Sequence, residues 1–139
     1  MGYRSDVAYT IRFTDEASYR LFIAEAKAKD LGGCFKNDTA YYDEAECDDE
    51  RWRINFRANG VKWYESFTDV MLHEKLIALA ADWVNTDTHD EKRGSLAPYR
   101  VSFIFIRIGE DTDDIEERHG GDYEWEWLQV SRQIVSDWD

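Results

Sequence analysis

Six of the eight residues after Gly109 are carboxylates: Glu110, Asp111, Asp113, Asp114, Glu116 and Glu117. A run this rich in hard oxygen donors is the raw material of a calcium site, so that chemistry is the first to weigh. An EF-hand loop needs oxygen ligands at alternate positions, Gly at the sixth and Glu at the twelfth. Counted from Asp111, those places hold Glu116 and Asp122. The run departs from the pattern at both, and weak divalent-ion binding is all that its composition predicts. Cys34, Cys47, His89 and His119 carry the atom types of a zinc tetrad, but none stands in C-x-x-C or H-x-x-x-H spacing. The neighbouring carboxylates Asp43-Glu44 and Glu116-Glu117 would point apart on a strand, which argues against an acid/base pair. His73, within a predicted helix beside Glu74, reads as a polar-face residue.

Phosphate-cradling loops and the G-x-S-x-G elbow are both missing. Gly32-Gly33 and Gly120-Gly121 read as caps and turns. The sequence therefore predicts no enzyme, no cofactor and no dedicated metal site. The alternative is a small enzyme or ligand- or metal-binding domain with its site near Asp111 to Glu117.

Charge placement says more. The formal net charge is −13, and it is concentrated. Asp38 to Glu50 carries seven carboxylates and no base, and Glu110 to Glu126 carries nine against Arg118. The rest of the chain has 14 acids against 16 bases and is close to neutral. Two concentrated patches make a directional field that steers a basic partner, which charges spread for solubility would not do. The partner-binding residues predicted on this ground are Asp43, Glu44, Glu46, Asp48, Asp49 and Glu50 in the first stretch. In the second they are Glu110, Asp111, Asp113, Asp114, Glu116 and Glu117. Arg51, Arg53 and Arg57 with Trp52 and Trp63 form the one basic and aromatic cluster. Those arginines alternate with apolar residues, as on the solvent face of a strand, and a strongly negative chain repels a polyanion. Direct nucleic-acid binding is not expected.

The elements that must position these charges follow from periodicity. Ser5 to Phe13 alternates as a strand. Thr14 is placed to cap a helix whose stripe is Ala17, Leu21, Ala24 and Ala28 beside Phe22, ending at Gly32-Gly33. Cys34 to Tyr42 reads as a short strand. Asn59-Gly60, between Arg51–Ala58 and Val61–Phe67, predicts a hairpin with a type I′ turn, Phe56 opposite Trp63. Ser66-x-x-Asp69 opens a second helix, with Met71, Leu72, Lys75, Leu76, Leu79, Ala80 and Trp83 on its repeat to Asn85. Asn85 to Pro98 reads as a loop. Tyr99 to Ile108 is apolar on both faces, the mark of an interior strand. Tyr123 to Val135 reads as a last strand with a bulge near Trp127 or Leu128.

The order predicts an α+β fold: a largely antiparallel sheet of about five or six strands with two helices, in a ferredoxin-like split β-α-β arrangement. Both acidic stretches are expected between strands. At 139 residues with 43% hydrophobic composition, residues 1–139 form a single domain. No apolar run reaches the ~20 residues of a membrane span, and two cysteines are too few for a disulfide framework. A cytoplasmic protein is expected.

Met1-Gly-Tyr-Arg-Ser-Asp, the run Phe105-Ile-Arg-Ile-Gly-Glu-Asp-Thr-Asp-Asp-Ile-Glu-Glu117 and Val130-Ser-Arg132 resemble a group of small acidic bacteriophage proteins. The resemblance implies a phage accessory protein acting in the bacterial host cell, and carries no site residue with it. Small acidic phage proteins include inhibitors of host defence such as anti-CRISPR proteins, some of which present carboxylates where nucleic acid would bind. The partner so implied is a host nucleic-acid-binding defence protein with a basic surface, most plausibly a CRISPR effector, met by a non-catalytic mimic of nucleic acid.

Overall fold

The computed structural model describes residues 2–32, 44–64, 66–85, 101–121, 127–130 and 134–136. Its elements are β1 (Ser5–Phe13), α1 (Glu16–Ala28), β2 (Glu44–Asp48), β3 (Arg53–Val61), α2 (Thr68–Asn85), β4 (Val101–Gly109), β5 (Ile115–Gly120), β6 (Leu128–Val130) and β7 (Ile134–Ser136). Five strands form one sheet in the order β2-β3-β1-β4-β5, with every neighbouring pair antiparallel. β1-α1-β2 straddles β3, and β3-α2-β4 straddles β1, so the expected split β-α-β arrangement is present twice, with β5 added beyond β4.

Alternation along β1 sorts the two faces. Val7, Tyr9, Ile11 and Phe13 join Phe56, Phe103 and Phe105 on one face, covered by Tyr19 and Phe22 of α1 and Leu76, Ala80 and Trp83 of α2. Trp83 meets Phe22 edge-on at 5.2 Å, and its indole N–H donates to Glu25 Oε2 at 2.5 Å, so the largest buried ring has its one polar atom satisfied. On the opposite face Ala8, Ile104 and Ile106 are buried under Leu128 and Ile134. β4 is thus apolar on both sides because helices cover one and the antiparallel β6–β7 pair covers the other.

Several local expectations are corrected. Asp15, not Thr14, caps α1, its Oδ1 accepting from Ser18 N at 2.8 Å. The buried stripe of α1 is Ser18, Tyr19, Phe22 and Ala26. The helix ends at Ala28, and Asp30 at φ 62° takes the left-handed position expected of Gly32 or Gly33. In α2, Val70 and His73 are buried while Met71 is 40% exposed.

Asn59-Gly60 does not turn the chain. β3 continues through it to Val61 and pairs with β1. Val7 faces Ala58 and Ser5 faces Val61, so the extra residue forms a bulge with Gly60 at φ 65°. The same dipeptide serves a turn or a bulge, and β1 as a long-range partner decides between them. The turn that does form lies upstream, between β2 and β3, with Trp52 N donating to Asp48 O at 2.8 Å. Of the predicted last strand, Leu128–Val130 and Ile134–Ser136 form the short antiparallel pair β6 and β7, while Tyr123 to Glu126 and Ser131 to Gln133 lie outside the described residues. The strand expected at Cys34 to Tyr42 and nearly all of the loop expected from Asn85 to Pro98 lie outside the described residues.

Candidate acidic interface

Both acidic stretches were expected between strands, yet part of each is a strand, and the two occupy opposite edges of the sheet. β2 forms one edge. Its register sets Glu44 opposite Arg57, Glu46 opposite Asn55 and Asp48 opposite Arg53, so acids of β2 face bases or an amide of β3. Glu46 Oε1 accepts from Asn55 Nδ2 at 3.0 Å, and Asn55 Oδ1 accepts from Thr10 Oγ1 at 2.6 Å, joining the edge to the buried polar residues of β1. Asp48 Oδ1 accepts from the backbone of Glu50 and Arg51 at 3.1 and 3.0 Å, which shapes the turn. Asp49 accepts from Tyr19 OH at 2.5 Å, and burial followed by this bond pushes the phenol upward. Burial also pushes the Cys47 thiol up to about 11, with the Asp49 charge adding to it, so Cys47 stays a thiol at neutral pH. Glu50 is exposed. Asp43 lies outside the described residues.

The second stretch builds the β4–β5 turn on the other edge. Gly109 N donates to Asp114 O at 2.8 Å and Asp114 N to Asp111 O at 3.0 Å. Arg107 holds Asp114 with a fork, Nη2 to Oδ1 at 2.8 Å and Nη1 to Oδ2 at 3.2 Å, while Tyr3 OH donates to the same Oδ2 at 2.5 Å. A Cβ at position 109 would stand 2.1 Å from Asp114 Oδ2 and 2.3 Å from the Tyr3 hydroxyl, so glycine is what lets them meet. Arg107, and after it Tyr3, holds the Asp114 carboxyl below the usual carboxylate range, and the Asp114 bond in turn raises Arg107.

The network continues along β5. Glu116 takes Arg107 Nε at 3.1 Å and lies 3.1 Å from Arg118 Nε, and Arg118 reaches Glu74 of α2 at 2.6 Å while its guanidinium sits 4.1 Å over the Phe105 ring. Glu74 also accepts from Trp63 Nε1 at 3.0 Å. Glu110 accepts from Arg4 N at 2.9 Å. Asp114 and Glu116 are therefore structural carboxylates, which takes two donors from any metal or catalytic site placed at Asp111 to Glu117. Asp111, Asp113 and Glu117 are exposed. Among the described residues no three His, Cys, Asp or Glu side chains converge as metal ligands. Cys34 and His89 lie outside them.

No protein family, curated protein or solved structure matches this chain. What the site can do must come from its geometry. The β2–β3 turn lies at the Phe13 end of β1 and the β4–β5 turn at the Ser5 end. Four strand spacings of ~4.8 Å and nine residues at ~3.3 Å put the two turns diagonally apart, on the order of 30 Å. They are two corners, not one patch. Sequence reasoning missed Arg107 and Tyr3 as the residues that order the second corner. The signal for Arg107 was available, since it continues the Val101, Phe103, Phe105 parity into the acidic run and thereby predicts a charged residue facing carboxylates. Nothing in the sequence links Tyr3 to Asp114. Also missed was His73, which is buried at 2% exposure, bonded to Tyr9 OH at 2.6 Å and tilted against the Phe56 ring with centroids 4.1 Å apart.

No helix among the described residues is long and apolar enough to cross a membrane.

Proposed function

We propose that this protein is a non-catalytic binding protein whose β4–β5 turn presents carboxylates to the Lys/Arg-lined surface of a nucleic-acid-binding partner. The observation that carries this is the split of labour within the turn: Asp114 and Glu116 are spent on Arg107, and the order they impose leaves Asp111, Asp113 and Glu117 exposed. Carboxylates held in place before binding lose little entropy on docking, and Arg meets them with paired hydrogen bonds. Placed where phosphates would lie, they compete with nucleic acid for the same cations. The narrower role, a phage inhibitor of a bacterial defence protein such as a CRISPR effector, draws its support from the resemblance of the end motifs. Asp48 lies opposite Arg53 in the β2–β3 register and Glu46 is bonded to Asn55, so the first stretch contributes less to such a surface.

The test is a triple variant, Asp111→Lys, Asp113→Lys and Glu117→Lys, that spares the structural Asp114 and Glu116. It should keep the circular dichroism and melting temperature of the parent within a few degrees. The parent should capture a nucleic-acid-binding protein from host lysate and block that protein from a labelled oligonucleotide, and the variant should do neither. A folded variant that still captures and blocks the same protein overturns the proposal.

A further inference from the structure

A second site stands apart from the exposed carboxylates. Arg4, Gly60, Val61, Lys62, Trp63, Phe67, Asp69 and Val70 line a cleft of about 450 Å³ between the end of β3 and the first turn of α2. That volume falls within the range of small-molecule sites. Two of its walls are flat rings. Trp63 is fixed by its indole bond to Glu74, and Phe67 is packed edge-on to Tyr64 at 5.3 Å yet remains 42% exposed, a large apolar surface left in water. The rim is cationic in a chain whose net charge is −13. Arg4 is anchored by Nη1 to Gly60 O at 2.8 Å and by its backbone N to Glu110, and among the described residues neither Arg4 nor Lys62 makes an ion pair. Among the described lining residues the one carboxylate is Asp69, which accepts from Val70 N at 3.0 Å. The N-terminal end of α2 adds the positive end of the helix dipole at the same wall.

From the pairing of the exposed Phe67 ring and the partly buried Trp63 ring with two cations in one cleft, we infer that it binds a small planar aromatic anion, an aryl carboxylate or aryl phosphate. The ring would cover Phe67 and stack against Trp63, with offset or edge-on contacts supplying the fit. The anionic group would lie between Arg4 and Lys62. Such binding is independent of the carboxylates of the β4–β5 turn, although Arg4 touches both regions.

The test is a titration of the ¹⁵N-labelled protein at neutral pH with indole-3-acetate, phenyl phosphate and tryptamine, followed at the Trp63 indole N–H and the Val61 and Val70 amides. Indole-3-acetate and tryptamine share a ring and differ in charge. One or both anions should give saturable shifts at these three signals, the tighter of the two identifying the head group, and tryptamine should give none. Lys62→Glu should weaken the anion at least tenfold, and Lys75→Glu, a charge reversal elsewhere on the surface, should leave it unchanged. If Lys62→Glu loses its dispersed spectrum, Lys62→Gln takes its place, with weaker but measurable loss. The triple lysine variant of the β4–β5 turn should still bind. Failure of both anions to saturate at millimolar concentration, equal binding of tryptamine, or indifference to the Lys62 changes overturns the inference.

Discussion

Arg107 grips Asp114 across the β4–β5 turn with two parallel hydrogen bonds, 2.8 and 3.2 Å, and so closes the corner where the chain is most acidic. Asp114→Ala would leave a partly buried guanidinium with only Glu116 and Ser5 and would strip Tyr3 of its acceptor. The expected outcome is a lower melting temperature than that of Asp111→Ala, whose exposed carboxylate holds no partner among the described residues. The dependence on pH has a definite sign. Arg107 and Tyr3 depress the folded pKa of Asp114, so its contribution is complete above the ordinary carboxylate value of ~3.9 and drains away as pH falls through the lower folded value. Denaturant melts of parent and Asp114→Asn should converge as pH falls through that window.

His73 makes the opposite kind of demand. Burial holds its folded pKa down at about 4, against a smaller upward pull from Asp69, while the unfolded imidazole titrates near ~6.5. Between those values the unfolded chain takes a proton that the folded one refuses. The part of stability linked to His73 is therefore complete above pH ~6.5, declines as pH falls toward 4 and levels off below it. The full loss is on the order of 3 kcal/mol. His73→Phe should abolish this slope, at the cost of leaving the Tyr9 hydroxyl without its Nδ1 partner. Unfolding free energies of the two proteins at pH 7 and pH 4.5 decide the matter: an equal pH dependence in both would show that His73 is not the titrating group.

Gly60 stands at φ 65° in the bulge of β3, and a Cβ there would meet nothing within 4 Å. The cost of substitution is then purely one of backbone conformation. Gly60→Val should destabilise by about 1–2 kcal/mol, because the left-handed region is disfavoured most for β-branched residues. Gly60→Asn should cost less, since Asn tolerates that region. Equal melting temperatures for glycine and valine at this position would rule out the bulge.

Legibility tracked the range of the interactions. β1 and β4 were readable because each is apolar on alternate or both faces within its own nine residues. The two helices were readable as elements, and Phe22, Leu76, Leu79, Ala80 and Trp83 of the expected stripes are buried, but Tyr19 and His73 were missed because they are buried by what lies across from them, Phe13 for one and Tyr9 with Phe56 for the other. Asn59-Gly60 misled because its turn chemistry is local while its bulge depends on pairing with Ser5 and Val7, more than fifty residues upstream. Glu44 to Asp48 was expected between strands, and pairing with β3, which sets Asp48 opposite Arg53, makes it one. The cleft beside Trp63 was invisible because it joins the N-terminal Arg4 to the start of α2.

The diagonal placement of the two acidic corners leads to the last prediction. A partner domain that docks on the β4–β5 turn cannot also reach Glu46 and Glu50 unless it spans roughly 30 Å along the sheet and across it. Two sets of charge reversals, Glu46→Lys with Glu50→Lys and Asp111→Lys with Asp113→Lys, should therefore act unequally on a single partner. The second set should lower affinity by at least a hundredfold at low salt, because each attraction becomes a repulsion, and the first by less than threefold. The parent's affinity should fall steeply between 50 and 500 mM salt, since the screening length contracts from about 14 Å to about 4 Å over that range, and the second set should flatten the dependence. Calorimetry at several salt concentrations checks both. Equal losses from the two sets would mean that the partner wraps both edges of the sheet, and an affinity indifferent to salt would move the contact from the carboxylates to an apolar surface such as that of Phe67 and Met71, which stand 42% and 40% exposed.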